Sequence, residues 1–444
     1  MEYSRSESEV LYQLELPFNR IKIDKTLSLA PNPGKVNSFW NNAANDLVEN
    51  IADQFRRSAY FNGQRFRRAT YIPIISAILA NLLNADNHQL QIVYSRDTEG
   101  NNKNWVSVWN FLTEMQFIST VIAGKNESGI QSWCVALPEM VALLHAYNSR
   151  IIVNKQKPAV LVRDNDKNIL PISNKRKTKL LYNRLEKATK AINTLWENHT
   201  VTLDGKPVVP FVQRIFNNSL AFGGRFYGGF QQIPSKDRAR FKIDNIKTIE
   251  IDYSAIHLAI MYAWEGTQID YEQAYTLRGY TRDAVKAVTL RALNIEDLAV
   301  LRRSVTLSAN PSNQSRYKEY KVKRQIHDTL RSKGLTSKAP YKPKWLDSFI
   351  DKIPSTTNAD NLIDTFLDRH NVISKHIGSK NIGLRLQSVD SEIMALVLST
   401  LLTDNIPALP VHDSIIVQTK HKKKAYTIMQ DAFRKVTGFE AQIK

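Results

Sequence analysis

The stretch Ile406-Pro407-Ala408-Leu409-Pro410-Val411-His412-Asp413-Ser414-Ile415-Ile416-Val417 sets a polar triplet, His412-Asp413-Ser414, between two runs of strand-forming apolar residues. Extended runs on either side of a short polar break predict a tight hairpin whose turn presents Asp413. Packing does not account for the triplet, because an unpaired charge where two buried strands meet is costly. A second carboxylate stands about 160 residues earlier, in Thr248-Ile249-Glu250-Ile251-Asp252-Tyr253-Ser254-Ala255-Ile256-His257. There an apolar-flanked extended run delivers Asp252 and turns into a helix through Ser254. Ser is a good helix N-cap, so this stretch alone favours a structural boundary. Together, two carboxylates on adjacent strand ends suit two Mg²⁺ ions ~3.5–4 Å apart, which activate an attacking 3′ hydroxyl and stabilise the leaving pyrophosphate.

A third element lies between them: Thr281-Arg282-Asp283-Ala284-Val285-Lys286-Ala287-Val288-Thr289-Leu290-Arg291-Ala292-Leu293-Asn294. On a helix, Arg282 and Lys286 stand one turn apart on the same face, with Leu290 and Asn294 continuing the stripe. Paired cations followed by a contact surface suit a triphosphate and the base above it. Taken alone, the stretch reads more simply as a solvated basic helix.

Composition narrows the partners. The chain has 444 residues, with 61 Lys and Arg against 42 Asp and Glu, a formal charge of +19. Such a surplus is self-repulsive unless a polyanion shares the surface, so nucleic acid is the first partner to consider. No apolar run approaches the ~20 residues that span a bilayer, and no membrane partner is expected. The polar start Met1-Glu2-Tyr3-Ser4-Arg5-Ser6-Glu7 lacks the apolar core of a signal peptide, and the one cysteine, Cys134, excludes internal disulfides and Cys-rich zinc sites. A cytoplasmic protein of a prokaryote, phage or plasmid is the expectation.

By texture the chain divides into an irregular segment 1–40, a region 41–147, a basic linker and thumb-like helix 148–210, and a motif-dense region 211–444. Helical spacing covers Leu47 to Phe55, Tyr71 to Leu83 and Trp105 to Met115. Phe117 to Ala123, the turn Gly124 to Gly129, and Ile130 to Leu137 then read as a hairpin. Helices followed by a hairpin are the order of a winged helix-turn-helix, a DNA-reading module. Arg56, Arg57, Arg65, Arg67 and Arg68 interleave with Tyr60, Phe61 and Phe66, a mixture suited to phosphates and bases, although a solvated helix face accounts for it equally well. A long helix is expected over Leu180 to Trp196.

In their order, the three C-terminal elements resemble motifs A, B and C of the family A DNA polymerases and the single-subunit, phage-type RNA polymerases. Asp252-Tyr253-Ser254-Ala255-Ile256 matches the motif A pattern Asp-Tyr-Ser-x-Ile. Arg282, Lys286, Leu290 and Asn294 fall on the motif B spacing, and His412-Asp413-Ser414 matches motif C as the RNA polymerases carry it. Leu386-Gln387-Ser388-Val389-Asp390-Ser391-Glu392-Ile393 resembles the Gln-bearing helix before motif C. Phe222-Gly223-Gly224-Arg225-Phe226-Tyr227 resembles the Gly-Arg element that contacts template and primer. The resemblance covers residues 210–444. It implies an α+β fold, with a right-hand palm of antiparallel sheet and helices, helical fingers and thumb, and a mainly helical N-terminal domain ahead of them.

It further implies a template-directed nucleotidyltransferase, a DNA-dependent DNA or RNA polymerase or a primase-like enzyme. Asp252 and Asp413, with the carbonyl of Tyr253, would hold two Mg²⁺, for which Mn²⁺ substitutes. Arg282 and Lys286 would hold the nucleoside triphosphate, and Lys286 would protonate the leaving pyrophosphate. Arg225 and Tyr227 would meet the DNA template or nascent strand, while Gln387 and His412 support the primer end. Leu290, Asn294, His257 and Tyr253 would line the nucleotide pocket. The sequence also departs from the family. His257 stands where the DNA polymerases carry the Glu that blocks a ribose 2′ hydroxyl. Asn294 and Ile295 replace the usual Tyr-Gly, Leu290 replaces an aromatic or Met, and only 30 residues separate Asp252 from Arg282. A compact fingers region follows from that spacing. Two other classes compete: a non-catalytic DNA-binding initiator that keeps the palm shape, and a metal-dependent nuclease.

Overall fold

The computed structural model describes residues 20–22, 27–31, 46–61, 66–88, 91–94, 102–122, 132–146, 149–153, 158–332 and 350–444, with the single residues 96 and 340. Arg65 and the turn Gly124 to Gly129 lie outside them. The chain forms two compact units. The first holds residues 1–157, 203–209 and 323–341, and the second 158–202, 210–322 and 342–444.

In the first unit, strands β1 (Arg20–Lys22) and β2 (Leu27–Pro31) stand in the segment expected to be irregular. Helices α1 (Asp46–Arg57) and α2 (Arg68–His88), strand β3 (Gln91–Tyr94), helix α3 (Asn102–Glu114), strands β4 (Ile118–Val121) and β5 (Ser132–Ala136), helix α4 (Pro138–Ala146) and strand β6 (Ser149–Val153) follow. Strands β4 and β5 pair antiparallel with Ile118 opposite Ala136, so the expected hairpin strands form. The sheet runs in the order β1-β3-β5-β4, and β2 pairs with β6 separately. Helix α2 is apolar and long enough to cross a membrane by composition, contrary to the sequence expectation, but most of it is buried as a core helix, with Ile75, Ile78, Leu79 and Leu82 fully inaccessible. The aromatics thought to interleave with arginines pack on one another. Phe61 meets Phe55, Phe66 and Tyr71 at 5.4–5.9 Å between centroids, and Phe66 stacks on Tyr71 at 5.2 Å. Phe55 is buried, while Phe61, Phe66 and Tyr71 are part-exposed around it.

In the second unit, β7 (Val160–Arg163) leads to α5 (Arg176–Leu195), the expected long helix. Short strand β8 (Val201–Leu203) leads into β9 (Lys206–Pro207), which counts with the first unit, and β10 (Gln213–Asn217) and β11 (Gly223–Tyr227) follow. Strand β10 pairs antiparallel with β11 and parallel with β7. The one-turn helix α6 (Ser235–Arg238) comes before β12 (Phe241–Ile243) and β13 (Ile246–Asp252), then α7 (Ile256–Trp264) and α8 (Arg282–Ala292). A helical insertion follows: α9 (Leu298–Ala309), α10 (Pro311–Ser332), whose residues from 323 on count with the first unit, and α11 (Ala359–Arg369). The long helix α12 (Ile382–Thr403), the hairpin β14 (Ala408–Val411) and β15 (Ser414–Gln418), and α13 (Lys422–Thr437) complete the unit.

The central sheet places β14, β15, β13 and β12 side by side, all antiparallel. Strands β14 and β15 are buried at every position, which explains their continuous apolar sequence. Helix α12 crosses β11 and packs on α7 and α13, supplying the buried Leu386, Ile393, Met394 and Val397. The result is α+β, with antiparallel sheets and helices packed on them.

Candidate active site

The pairing of β13 with β15 sets the site. Asp252, the last residue of β13, lies opposite Ser414, and the backbone N–H of Tyr253 donates to the carbonyl of Asp413 at 3.3 Å. Asp413 sits in the two-residue turn after Val411, where His412 takes a left-handed φ of 57°. On its other edge, Asp252 exchanges two backbone hydrogen bonds with Lys444, at 3.1 and 2.9 Å. Strands on both sides therefore fix the backbone that carries Asp252.

Burial, and then the charge of Asp413, push the Asp252 carboxyl up to about 6, with Lys444 and Lys286 pulling it back only in part. Glu250 lies two residues before Asp252 on the same face, but it is spent elsewhere. Arg238 grips it through Nε and Nη2 at 3.0 Å each, and the Ser414 hydroxyl donates to it at 2.6 Å. Asp252 and Asp413 remain as a hard-oxygen pair whose mutual repulsion a divalent cation relieves. No group of three or more Asp, Glu, His or Cys side chains forms a metal cluster among the described residues. Two carboxylates alone would suit an ion such as Mg²⁺, which keeps most of its coordination for water and substrate phosphates.

This environment has a thermodynamic sign. A carboxyl whose folded value is raised from 3.8 to about 6 binds its proton more tightly in the folded state. Its stabilisation is fully present below about pH 4 and is lost as pH rises through about 6. Asp252→Asn should therefore melt higher than the native protein in metal-free buffer at about pH 7.5, with the gap closing below about pH 4. Melting curves across that range read the effect, and a gap independent of pH would contradict it.

Helix α8 presents its cations as expected. Arg282, Lys286 and Leu290 are exposed along one stripe, while Ala284, Val285, Ala287 and Val288 face the core. Thr281 caps the helix by accepting from the N–H of Ala284. The helix ends at Ala292, however, so Asn294 does not continue the stripe. Its side-chain amide donates to the carbonyl of Leu290 at 2.6 Å, which serves the open helix end.

Three expected site residues have other engagements. The Tyr253 side chain is buried against Phe433, and its hydroxyl donates to the carbonyl of Met429 at 2.6 Å. Only its backbone is at the site. The Arg225 guanidinium forms an ion pair with Asp390, whose side chain is 1% exposed, and it donates through Nε at 3.1 Å to both carboxylate oxygens. His257 joins the same carboxylate, its Nε2 lying 2.7 Å from Asp390 Oδ2 and 3.1 Å from Arg225 Nη2. Asp390 is thus the hub of an Arg-Asp-His triad that sequence reading passed over. Its signal is a lone acid in the apolar stripe of α12, three residues after Gln387.

The Gly-Gly-Arg element explains how Arg225 reaches that hub. Gly223 and Gly224 adopt φ of 75° and 83°, and the β10–β11 register shifts there. A Cβ on Gly224 would lie 2.5 Å from the Phe216 ring. Only glycine permits this bulge, which re-aims the next side chain. Beyond it, Tyr227 is exposed at the rim, with its ring edge-on to His412 at 6.1 Å. Gln387 lies part-exposed on α12, and Ser254 makes no cap. Ala255 instead leads into α7 at a left-handed φ of 49°.

A scan against protein-family models finds no match, and a search of curated proteins finds none either. Among solved structures, the chain is similar to the POL domain of Pol1 from M. smegmatis in complex with DNA primer-template and dNTP. The identity is 12% and the TM-score 0.28, over 60% of this chain. The chain spans about half of that domain, 51%. Similarity at this level assigns no activity.

Proposed function

We propose that the second unit is a template-directed nucleotidyltransferase, a DNA-dependent polymerase or primase-like enzyme with a palm built on the β13–β15 sheet. The observation that carries this reading is that the pairing of β13 with β15 brings Asp252 beside the turn that holds Asp413, with Lys286 of α8 in electrostatic reach of Asp252. Asp252 and Asp413, with the Tyr253 carbonyl, would hold Mg²⁺ or Mn²⁺. Bound there, the cation supplies charge neutralisation at the phosphates and activates the 3′ hydroxyl for in-line displacement. Arg282 and Lys286 bind the triphosphate, and Lys286 carries the proton to the departing pyrophosphate. Leu290 offers an apolar surface to the base. His412, Tyr227 and Gln387 border the path of the nascent strand. Arg225 acts through Asp390, and the pair fixes the His257 ring beside the sugar position. The first unit, with α3 followed by the β4–β5 hairpin, is the DNA-reading part, and the whole works in the cytoplasm of a prokaryote, phage or plasmid host.

The test is a gel assay of labelled primer–template and of unprimed single-stranded DNA, each with Mg²⁺ or Mn²⁺ and either rNTPs or dNTPs. Templated extension is the expected result, and the productive lanes read the sugar and the primer requirement. Tight DNA binding with no product in any lane would favour a non-catalytic initiator, a reading consistent with Arg225 being tied to Asp390 and Asn294 to a helix end. Shortened strands without added nucleotide would mean a nuclease.

Selectivity for the sugar has its own test. His257→Glu would set a second carboxylate against Asp390, so His257→Gln is the informative change. Incorporation with a measurably altered rNTP-to-dNTP ratio is expected, and an unchanged ratio would move the gate elsewhere.

A further inference from the structure

We propose that Tyr275 is a positioning residue for the triphosphate of the incoming nucleotide, acting through Arg282 and Lys286. The inference rests on the nucleotidyltransferase reading above and extends it to a residue outside every motif. Tyr275 lies in the turn-rich segment between α7 and α8, part-buried. Two cations of α8 stand over its ring, Arg282 Cζ at 5.2 Å and Lys286 Nζ at 5.5 Å from the centroid. Two cations one helical turn apart repel each other, and a carboxylate placed between them would neutralise the charge they bring to a phosphate. An aromatic face holds both and leaves their N–H donors free.

Burial raises the Tyr275 phenol to about 12, Arg282 lowers it, and both Asp413 and Asp252 raise it further, so the hydroxyl keeps its proton. The Tyr275 ring stands against both cations. It fixes the cations at that separation before substrate arrives, which lowers the ordering cost of binding.

The experiment measures binding of inorganic tripolyphosphate to the full chain by calorimetry, without metal and without DNA. It reads the anion site whether or not the protein polymerises. Tyr275→Leu should weaken binding about tenfold, the size expected when two exposed cation–π contacts are lost. Tyr275→Phe should stay within about twofold of the native protein, because the face and not the hydroxyl holds the cations. Where the gel assay gives product, Tyr275→Leu should raise KM for the nucleotide with little change in kcat. If the leucine variant does not fold, progressively fluorinated phenylalanines at position 275 replace it, and affinity should fall stepwise with fluorination. Native-like binding by a folded Tyr275→Leu, equal losses in Phe and Leu variants, or no trend with fluorination would each overturn the proposal. Tripolyphosphate binding that follows the ring in a protein without polymerase activity would keep Tyr275 as the organiser of an anion site and overturn the incoming nucleotide as its ligand.

Discussion

On the proposed function, Asp252→Ala and Asp413→Ala should each lower templated incorporation by about 10²–10³-fold, the scale on which loss of one preorganised charge-stabilising group is felt. Neither change should loosen DNA binding by more than a small factor, because neither residue belongs to the basic surface that gives the chain its +19 charge. The two losses should not add. The carboxylates act as one unit across the β13–β15 register, so the double variant should be no slower than the worse single one. Steady-state incorporation and filter binding on the same preparations separate the two effects. Retained synthesis in either single variant would remove the metal pair from the mechanism.

The largest effect on stability is expected at Asp390. Its carboxylate is inaccessible and receives Arg225 and His257 together. Asp390→Ala would leave the Arg225 guanidinium largely buried without its partner, which costs about 3–5 kcal/mol when one member of a buried pair is removed. Asp390→Asn keeps a hydrogen-bond acceptor and should cost less. Replacing both partners, Asp390→Ala with Arg225→Met, should recover much of the loss, since no uncompensated charge remains. Denaturant midpoints of the four proteins test this cycle. An Asp390→Ala variant as stable as the native protein would show that the triad carries no such energy.

How much of this was legible in the sequence follows from how local each signal is. The β14–β15 hairpin was legible because its continuous apolar runs break only at His412-Asp413-Ser414, and the structure pairs Val411 with Ser414 across that break. The stripe of α8 was legible as far as Leu290, because helical spacing is a local property. It failed at Asn294, where the chain ends the helix two residues early and uses the amide as a cap. Strand β3 and the first-unit strands β1 and β6 carry no alternating pattern long enough to read, since each gains its stability from neighbours distant in sequence. The triad was invisible for the same reason: Arg225, His257 and Asp390 come from three separated elements, and nothing near any one of them marks the others. Tyr275 is a further case, a single ring in a loop whose meaning comes only from the helix that folds over it.

The measurement that bears most directly on the paired carboxylates uses neither nucleotide nor template. Fe²⁺ offered in place of Mg²⁺, with ascorbate and peroxide, generates hydroxyl radicals that cut the backbone beside a bound ion. Cuts near Asp252 and near Asp413, both suppressed by excess Mg²⁺ and both lost together in Asp413→Ala, are the predicted result. Cuts at one of these positions without the other, or at neither, would contradict a shared metal site at the end of the β13–β15 sheet.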